Sequence, residues 1–224
     1  MEGHFVVIDG PDGAGKGTQI GMLKDTLSHR YGRPAEDFVF TREPGGSPFA
    51  EKIRKLILSP EAKEASASVM VQLFGAARFD HLEQTIIPAL EAGKVVVSDR
   101  FEAATYAYQL FGQDGDRAER NLFAAQRTEI ERLLGYADKP WTTIILDIDA
   151  ETGKERAKKR RGQSANHLDE RPLIFYRAVR NGFRAYAETV PNTTIIDASR
   201  TPALVHQDII AVFDSILGGP SPLS

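Results

Sequence analysis

The segment Gly10-Pro11-Asp12-Gly13-Ala14-Gly15-Lys16-Gly17-Thr18 combines the groups that a polyphosphate needs. Glycines let the backbone turn until successive N–H groups point inward, a following helix adds its positive end, and Lys16 brings a mobile cation. Gly10, Asp12, Gly13, Ala14, Gly15, Lys16, Gly17 and Thr18 are therefore the candidate nucleoside triphosphate site, with Lys16 reaching the β and γ phosphates. The strict pattern places Ser or Thr after the lysine, where this chain has Gly17. The hydroxyl that would ligate Mg²⁺ is thus missing, which leaves water-mediated metal binding or a role for Thr18 and nearby carboxylates. Two further clusters carry forked cations: Thr41-Arg42-Glu43 and Asp99-Arg100-Phe101. Arg42 and Arg100 arriving at one crevice could clamp a second phosphate and relieve its repulsion from the first before in-line transfer.

These clusters require a scaffold that brings them together. Apolar, β-branched runs at His4–Asp9, Phe38–Thr41, Val95–Asp99, Thr143–Ile148 and Thr193–Asp197 lack alternation and read as strands buried on both faces. Helical patterns separate them at Lys16–Tyr31, Phe49–Leu58, Ser66–Ala92, Thr152–Arg161, Leu173–Thr189 and Pro202–Leu217, with further helix in Ala103–Leu134. The alternation predicts an α/β fold with a central parallel sheet flanked by helices. Ligands in such sheets sit at the carboxyl ends of the strands, where Asp9, Thr41-Arg42-Glu43 and Asp99-Arg100 all fall.

The chain has 224 residues, 42% of them hydrophobic, a length consistent with a single domain over residues 1–217. A net charge of −3 gives no global field for a nucleic acid. The absence of cysteine excludes disulfides, thiolate metal sites and a cysteine nucleophile. His4, His29, His81, His167 and His206 show no metal-ligand spacing. With no signal-like start and no run near the ~20 apolar residues of a membrane span, the expectation is a cytoplasmic protein that uses neither membrane nor nucleic acid. Residues 218–224 have the composition of a flexible tail, and residues 158–172 follow a basic stretch into a polar excursion that reads as a lid.

At the level of ordered motifs the chain resembles the thymidylate kinase family of P-loop nucleoside monophosphate kinases. The resemblance rests on Thr41-Arg42-Glu43-Pro44-Gly45-Gly46, Leu73-Phe74-Gly75-Ala76-Ala77-Arg78, Asp99-Arg100-Phe101 and Ala107-Tyr108-Gln109, and it extends to Ile196-Asp197-Ala198. It implies ATP-dependent phosphorylation of dTMP to dTDP for dTTP synthesis, with Mg²⁺, in a homodimer. Carried onto this sequence, it makes Arg42 and Arg100 ligands of the acceptor phosphate and sets Asp99 beside that phosphate and the metal. Phe74 would stack on thymine, Arg78 would donate to its carbonyl edge, and Asp12 would meet the sugar 3′-hydroxyl. Pro44, Thr105, Tyr108 and Gln109 would complete the acceptor site.

Plainer readings stand beside these. Phe74 shares a pattern with Val69, Met70, Leu73 and Ala77 and could be core, Tyr108 could cap, and Arg78 could pair with Asp80 on the surface. A mobile arginine over the transferring group is expected from the lid, from Arg160 or Arg161, because Gly13 stands where one branch of the family has arginine. Three departures touch specificity or the lid: Ala104 replaces a common serine, Leu110 a common glycine, and His167 a usual arginine. A kinase for another, possibly modified, nucleoside monophosphate and a P-loop ATPase or GTPase switch are the alternatives to a dTMP kinase.

Overall fold

The computed structural model describes residues 3–135, 141–161 and 171–219, without the side chains of Arg160 and Arg161. Strands β1 (His4–Asp9), β2 (Phe38–Arg42), β3 (Val95–Asp99), β4 (Thr142–Asp147) and β5 (Thr193–Asp197) form one parallel sheet in the order β2-β3-β1-β4-β5. Both faces are covered, which is why the strands read as unbroken apolar runs. Val6, Ile8, Val95, Val97, Ile144 and Leu146 pack toward α1 (Lys16–Tyr31) and α9 (Pro202–Leu217), meeting Leu23, Leu27, Ile209 and Phe213. The alternate residues Phe5, Val7 and Val96 meet Leu82, Ile86, Phe101, Ile130 and Trp141 on the opposite face. Each such fully buried side chain contributes about 1.5–3 kcal/mol. β1 lies at the centre, and the chain leaves it for β2 on one side while β4 lies on the other. That switch of direction opens a crevice at the carboxyl ends of β1 and β3.

Two of the long helical readings are divided. From Ser66, whose hydroxyl accepts from the Val69 N–H, α3 runs over Ala67–His81, then a π-helical turn spans Leu82–Ile86 before α4 (Ile87–Glu91). Pro88 supplies the reason: it has no N–H and its ring crowds the carbonyl one turn back, so the ladder widens there. The Ala103–Leu134 stretch divides into α5 (Glu102–Thr105), a π-helical turn (Tyr106–Gly112) and α6 (Arg117–Leu134). Asp114 takes a positive φ of 56°, and Asp116 with Glu119 forms a capping box that begins α6 anew. Between β2 and α3 lies α2 (Pro48–Leu58), and α7 (Ala150–Arg161) and α8 (Leu173–Thr189) follow β4. The expected lid at residues 158–172, including His167, falls largely outside the described residues, as do residues 220–224 of the expected tail.

Candidate active site

The turn after β1 is fixed by contacts that only glycine permits. Gly10 has φ 136°, and a Cβ there would stand 2.4 Å from the Leu146 carbonyl oxygen. Gly13 has φ 81°, and its Cβ would stand 2.0 Å from the Gly153 carbonyl on α7, so an arginine at this position has no room without a shift of α7. Asp9 is wholly buried at the strand end. Its carboxylate accepts from the N–H groups of Gly10 (2.9 Å), Phe101 (3.2 Å) and Ala104 (3.0 Å), tying the first loop to the start of α5.

Lys16 is buried and its Nζ donates to the carbonyls of Gly10 (2.8 Å) and Pro11 (3.0 Å). Arg100 reaches the same Gly10 carbonyl at 3.4 Å, bonds Asp12 Oδ1 at 2.6 Å and lies 3.7 Å from Asp9. Its guanidinium also covers the Tyr108 ring, 5.1 Å from the centroid. The Arg100 backbone has φ 73°, a left-handed conformation that turns the side chain back over the loop. Burial, and then the nearby Arg100 charge, lower the Lys16 ammonium to about 8. Polyphosphate oxygens placed beside that ammonium raise its pKa again, so binding takes up a proton where the free enzyme is partly deprotonated. At about pH 8.5, calorimetric titration with ATP in buffers of different ionisation enthalpy is expected to report net proton uptake. Proton release, or an unchanged signal on Lys16→Ala, would contradict this linkage.

Two clefts open on this loop. One, of roughly 280 Å³, is lined by Gly13, Ala14, Gly15, Thr18 and Gln19 on one side and by Arg156, Ala198, Arg200, Pro202 and Val205 on the other. The other, of roughly 170 Å³, is lined by Asp12, Glu43, Pro44, Arg54, Ile57, Leu58, Phe74, Arg100, Ala104, Tyr108, Gln109, Gln113 and Phe175. Of the residues singled out from sequence, Asp12, Pro44, Phe74, Arg100, Tyr108 and Gln109 therefore share this second cleft. Phe74 is half-buried beside Ile57 and Met70, so core packing and a face toward the cleft coexist. The Oε1 atoms of Gln109 and Gln113 are buried there with no hydrogen-bond partner.

Arg78 and Thr105 are buried and do not line the cleft. Arg78 donates through Nε to Glu43 (2.8 Å) and through Nη2 to Thr105 Oγ1 (3.0 Å) and the Phe101 carbonyl (3.1 Å). The surface pair with Asp80 is not formed; Asp80 instead accepts from Ser47 and from the Ala50 N–H. Glu43 is further held by His81 Nδ1 at 3.2 Å, while Nε2 of that ring meets the Thr41 hydroxyl at 2.7 Å. Arg42 is turned outward, its side chain 53% exposed and paired with Glu51 at 2.9 Å. Arg54 lines the cleft beside Arg100 and donates to the Pro44 carbonyl at 2.7 Å. Burial, then the neighbouring Arg42 charge, lower its pKa. Sequence reading passed over Arg54, yet a signal exists: it stands four residues after Ala50 and three before Ile57, on the buried face of α2. Arg156, Arg200 and Pro202 were likewise missed, because β5 and α7 meet the first loop only in three dimensions. Arg160 and Arg161 end α7, with side chains outside the described residues.

Among the described residues no three His, Cys, Asp or Glu side chains form a metal cage. Asp99 Oδ1, at the end of β3, is buried with no hydrogen-bond partner, and Gly17 and Thr18 are exposed. A lone orphaned carboxylate oxygen near a phosphate loop suits Mg²⁺ that arrives with a nucleotide and keeps several waters. No helix among the described residues is long and apolar enough to cross a membrane.

The sequence profile of the thymidylate kinase family matches residues 8–209. A thymidylate kinase of Pelotomaculum thermopropionicum is 38% identical over 218 residues, covering 97% of this chain and 95% of that protein. One of a Bradyrhizobium species is 42% identical over 205 residues, covering 91% and 86%. The crystal structure of thymidylate kinase from Ehrlichia chaffeensis superposes with a TM-score of 0.72 at 28% identity, covering 95% of this chain and all of that one. A profile match over most of the chain, near full-length relatives and a shared fold establish that this chain belongs to the thymidylate kinase family.

Proposed function

We infer that this protein transfers the γ-phosphoryl group of ATP to dTMP, giving dTDP and ADP. The observation that carries the reading is that one loop serves two clefts: Gly13, Ala14, Gly15 and Thr18 line the larger and Asp12 the smaller, with Lys16 and Arg100 meeting at the Gly10 carbonyl between them. ATP occupies the larger cleft and dTMP the smaller. An oxygen of the dTMP phosphate attacks the γ-phosphorus while the bond to the β–γ bridging oxygen breaks, and no covalent enzyme intermediate is needed. Lys16 and Arg100 neutralise charge on the phosphates, and their fixed positions replace the reorganisation that water would require. Phe74 offers a face to thymine, and Tyr108, Gln109, Thr105 and the buried Arg78 shape the pocket around base and sugar. Asp99 would hold Mg²⁺, which neutralises phosphate oxygens when bound. Arg160 or Arg161 remains the candidate for a further cation over the transferring group.

The acceptor phosphate lies between Arg100 and Arg54, with Arg42 outside them in the free enzyme. Arg54→Ala is expected to raise KM for dTMP about 10–100-fold, whereas Arg42→Ala, which breaks an exposed pair, raises it less than about fivefold. Steady-state titration of dTMP at saturating ATP separates the two, and the reverse order would return the clamp to Arg42. A homodimer fits the apolar residues that α2 leaves exposed, Phe49 and Leu56, seven residues apart, together with exposed Val69 on α3, the helix that packs against α2.

Following ³¹P resonances with Mg-ATP present tests the reaction. Equimolar dTDP and ADP should form only when dTMP is added. Inorganic phosphate released without an acceptor would favour an ATPase instead.

A further inference from the structure

We propose that His206 is a positioning residue for the donor nucleotide, holding Gln19 so that α1 and the start of α9 keep fixed walls around the donor's base. The proposal rests on reading the larger cleft as the ATP site. Its two walls have no covalent connection near the cleft: one is the phosphate loop and the first turn of α1, the other is Pro202 and Val205 of α9 with the residues before them. Gln19 bridges them. It is 2% exposed, lines the cleft, and donates through Nε2 to the Pro202 carbonyl at 2.9 Å.

That bond fixes the orientation of the amide. With Nε2 committed to a carbonyl, Oε1 can only accept, and the group facing it is His206 Nδ1 at 3.2 Å. The ring must therefore carry its proton on Nδ1. Nε2 then faces the Thr26 hydroxyl at 3.2 Å, and Thr26 stands on α1 seven residues beyond Gln19, on the same side of the helix. That hydroxyl donates its single proton to the Met22 carbonyl at 2.7 Å, so the bond that joins the ring to α1 is the one to Gln19. Burial lowers the His206 pKa, which favours the neutral ring. His206 thus grips α1 through Gln19 from its place on α9, one residue after the buried wall residue Val205. If the imidazole is lost, Gln19 Oε1 is left buried without a donor, and the amide is free to turn away from Pro202. The wall beside the base then loses its hold, while Lys16, Arg100 and the acceptor cleft are untouched.

The experiment compares His206→Leu, His206→Asn and His206→Gln, reading KM for ATP, KM for dTMP, kcat, thermal midpoint and ADP affinity by calorimetry. An asparagine amide nitrogen stands at the δ position of the side chain, as Nδ1 does, and can donate to Gln19 Oε1, whereas glutamine carries its amide one bond further, where Nε2 lies. Loss of the clasp in the Leu and Gln variants should weaken ATP and ADP about five- to tenfold, with kcat and KM for dTMP within about twofold. His206→Asn should return nucleotide affinity to within about twofold of the parent. Folded Gln or Leu variants with parental ADP affinity, or an Asn variant no better than Gln, would overturn the proposal and leave His206 as a helix-packing residue. A parent enzyme that binds ADP but forms no dTDP would defeat the functional reading instead, and the calorimetric comparison would still decide the clasp.

Discussion

Lys16→Ala is expected to lower kcat by at least about 10²–10³-fold, the scale found when one preorganised donor to developing charge is removed. The ammonium is held by two carbonyls of the phosphate loop, among the Asp9, Asp12 and Asp99 carboxylates and close to Arg100. No other lysine approaches that loop among the described hydrogen bonds, so no neighbour can substitute for it. The fold should survive, because β1 and α1 are anchored by Val6, Ile8, Leu23 and Leu27 and not by this side chain. Circular dichroism and the thermal midpoint check that point, and single-turnover rates check the chemistry. Near-parental kcat in a folded Lys16→Ala protein would remove the lysine from the mechanism.

Arg100→Ala is expected to reduce kcat/KM for dTMP by about 10²–10³-fold, since truncating one member of a desolvated charge cluster costs about 2–5 kcal/mol. Burial opposes the guanidinium charge, yet Tyr108, Asp12, Asp9 and Asp99 raise its pKa overall, so it stays cationic. Removing it leaves Asp9 buried without its nearest guanidinium, and part of the loss is structural. Arg100→Lys separates the two effects: it keeps a charge near Asp9 but lacks the fork that reaches Asp12 and an acceptor phosphate together. The lysine variant should retain the parental thermal midpoint within a few degrees and still lose about tenfold or more in kcat/KM for dTMP. Full activity in Arg100→Lys would show that a point charge suffices and that no forked contact operates.

Much of the scaffold was legible because local pattern and tertiary demand agree. The runs at β1 and β3 and the helices α1, α8 and α9 fall where the apolar periodicity and glycine signals put them. Pattern failed where the helical period continues but the ladder does not. Pro88 and the Asp116–Glu119 box were visible in the sequence and outweigh the apolar rhythm around them. Within the site, the phosphate loop was readable since its chemistry is contiguous. Arg54 was hidden inside an ordinary amphipathic helix. The Arg78–Glu43 pair spans 35 residues and the Arg100–Asp12 pair 88, separations at which spacing carries no information until the sheet order is known. Arg42 shows the converse: its position at the end of β2 predicted a crevice ligand, but Glu51 one turn into α2 offers a nearer partner in the free enzyme.

The most direct measurement of the central claim is kcat/KM for ADP release from Mg-ATP across dTMP, dUMP, dCMP, dGMP, AMP and thymidine. Among these dTMP is expected to lead, and thymidine, lacking the phosphate for Arg100 and Arg54, to be inert. Preference for a purine or cytosine monophosphate, or turnover of thymidine itself, would contradict it.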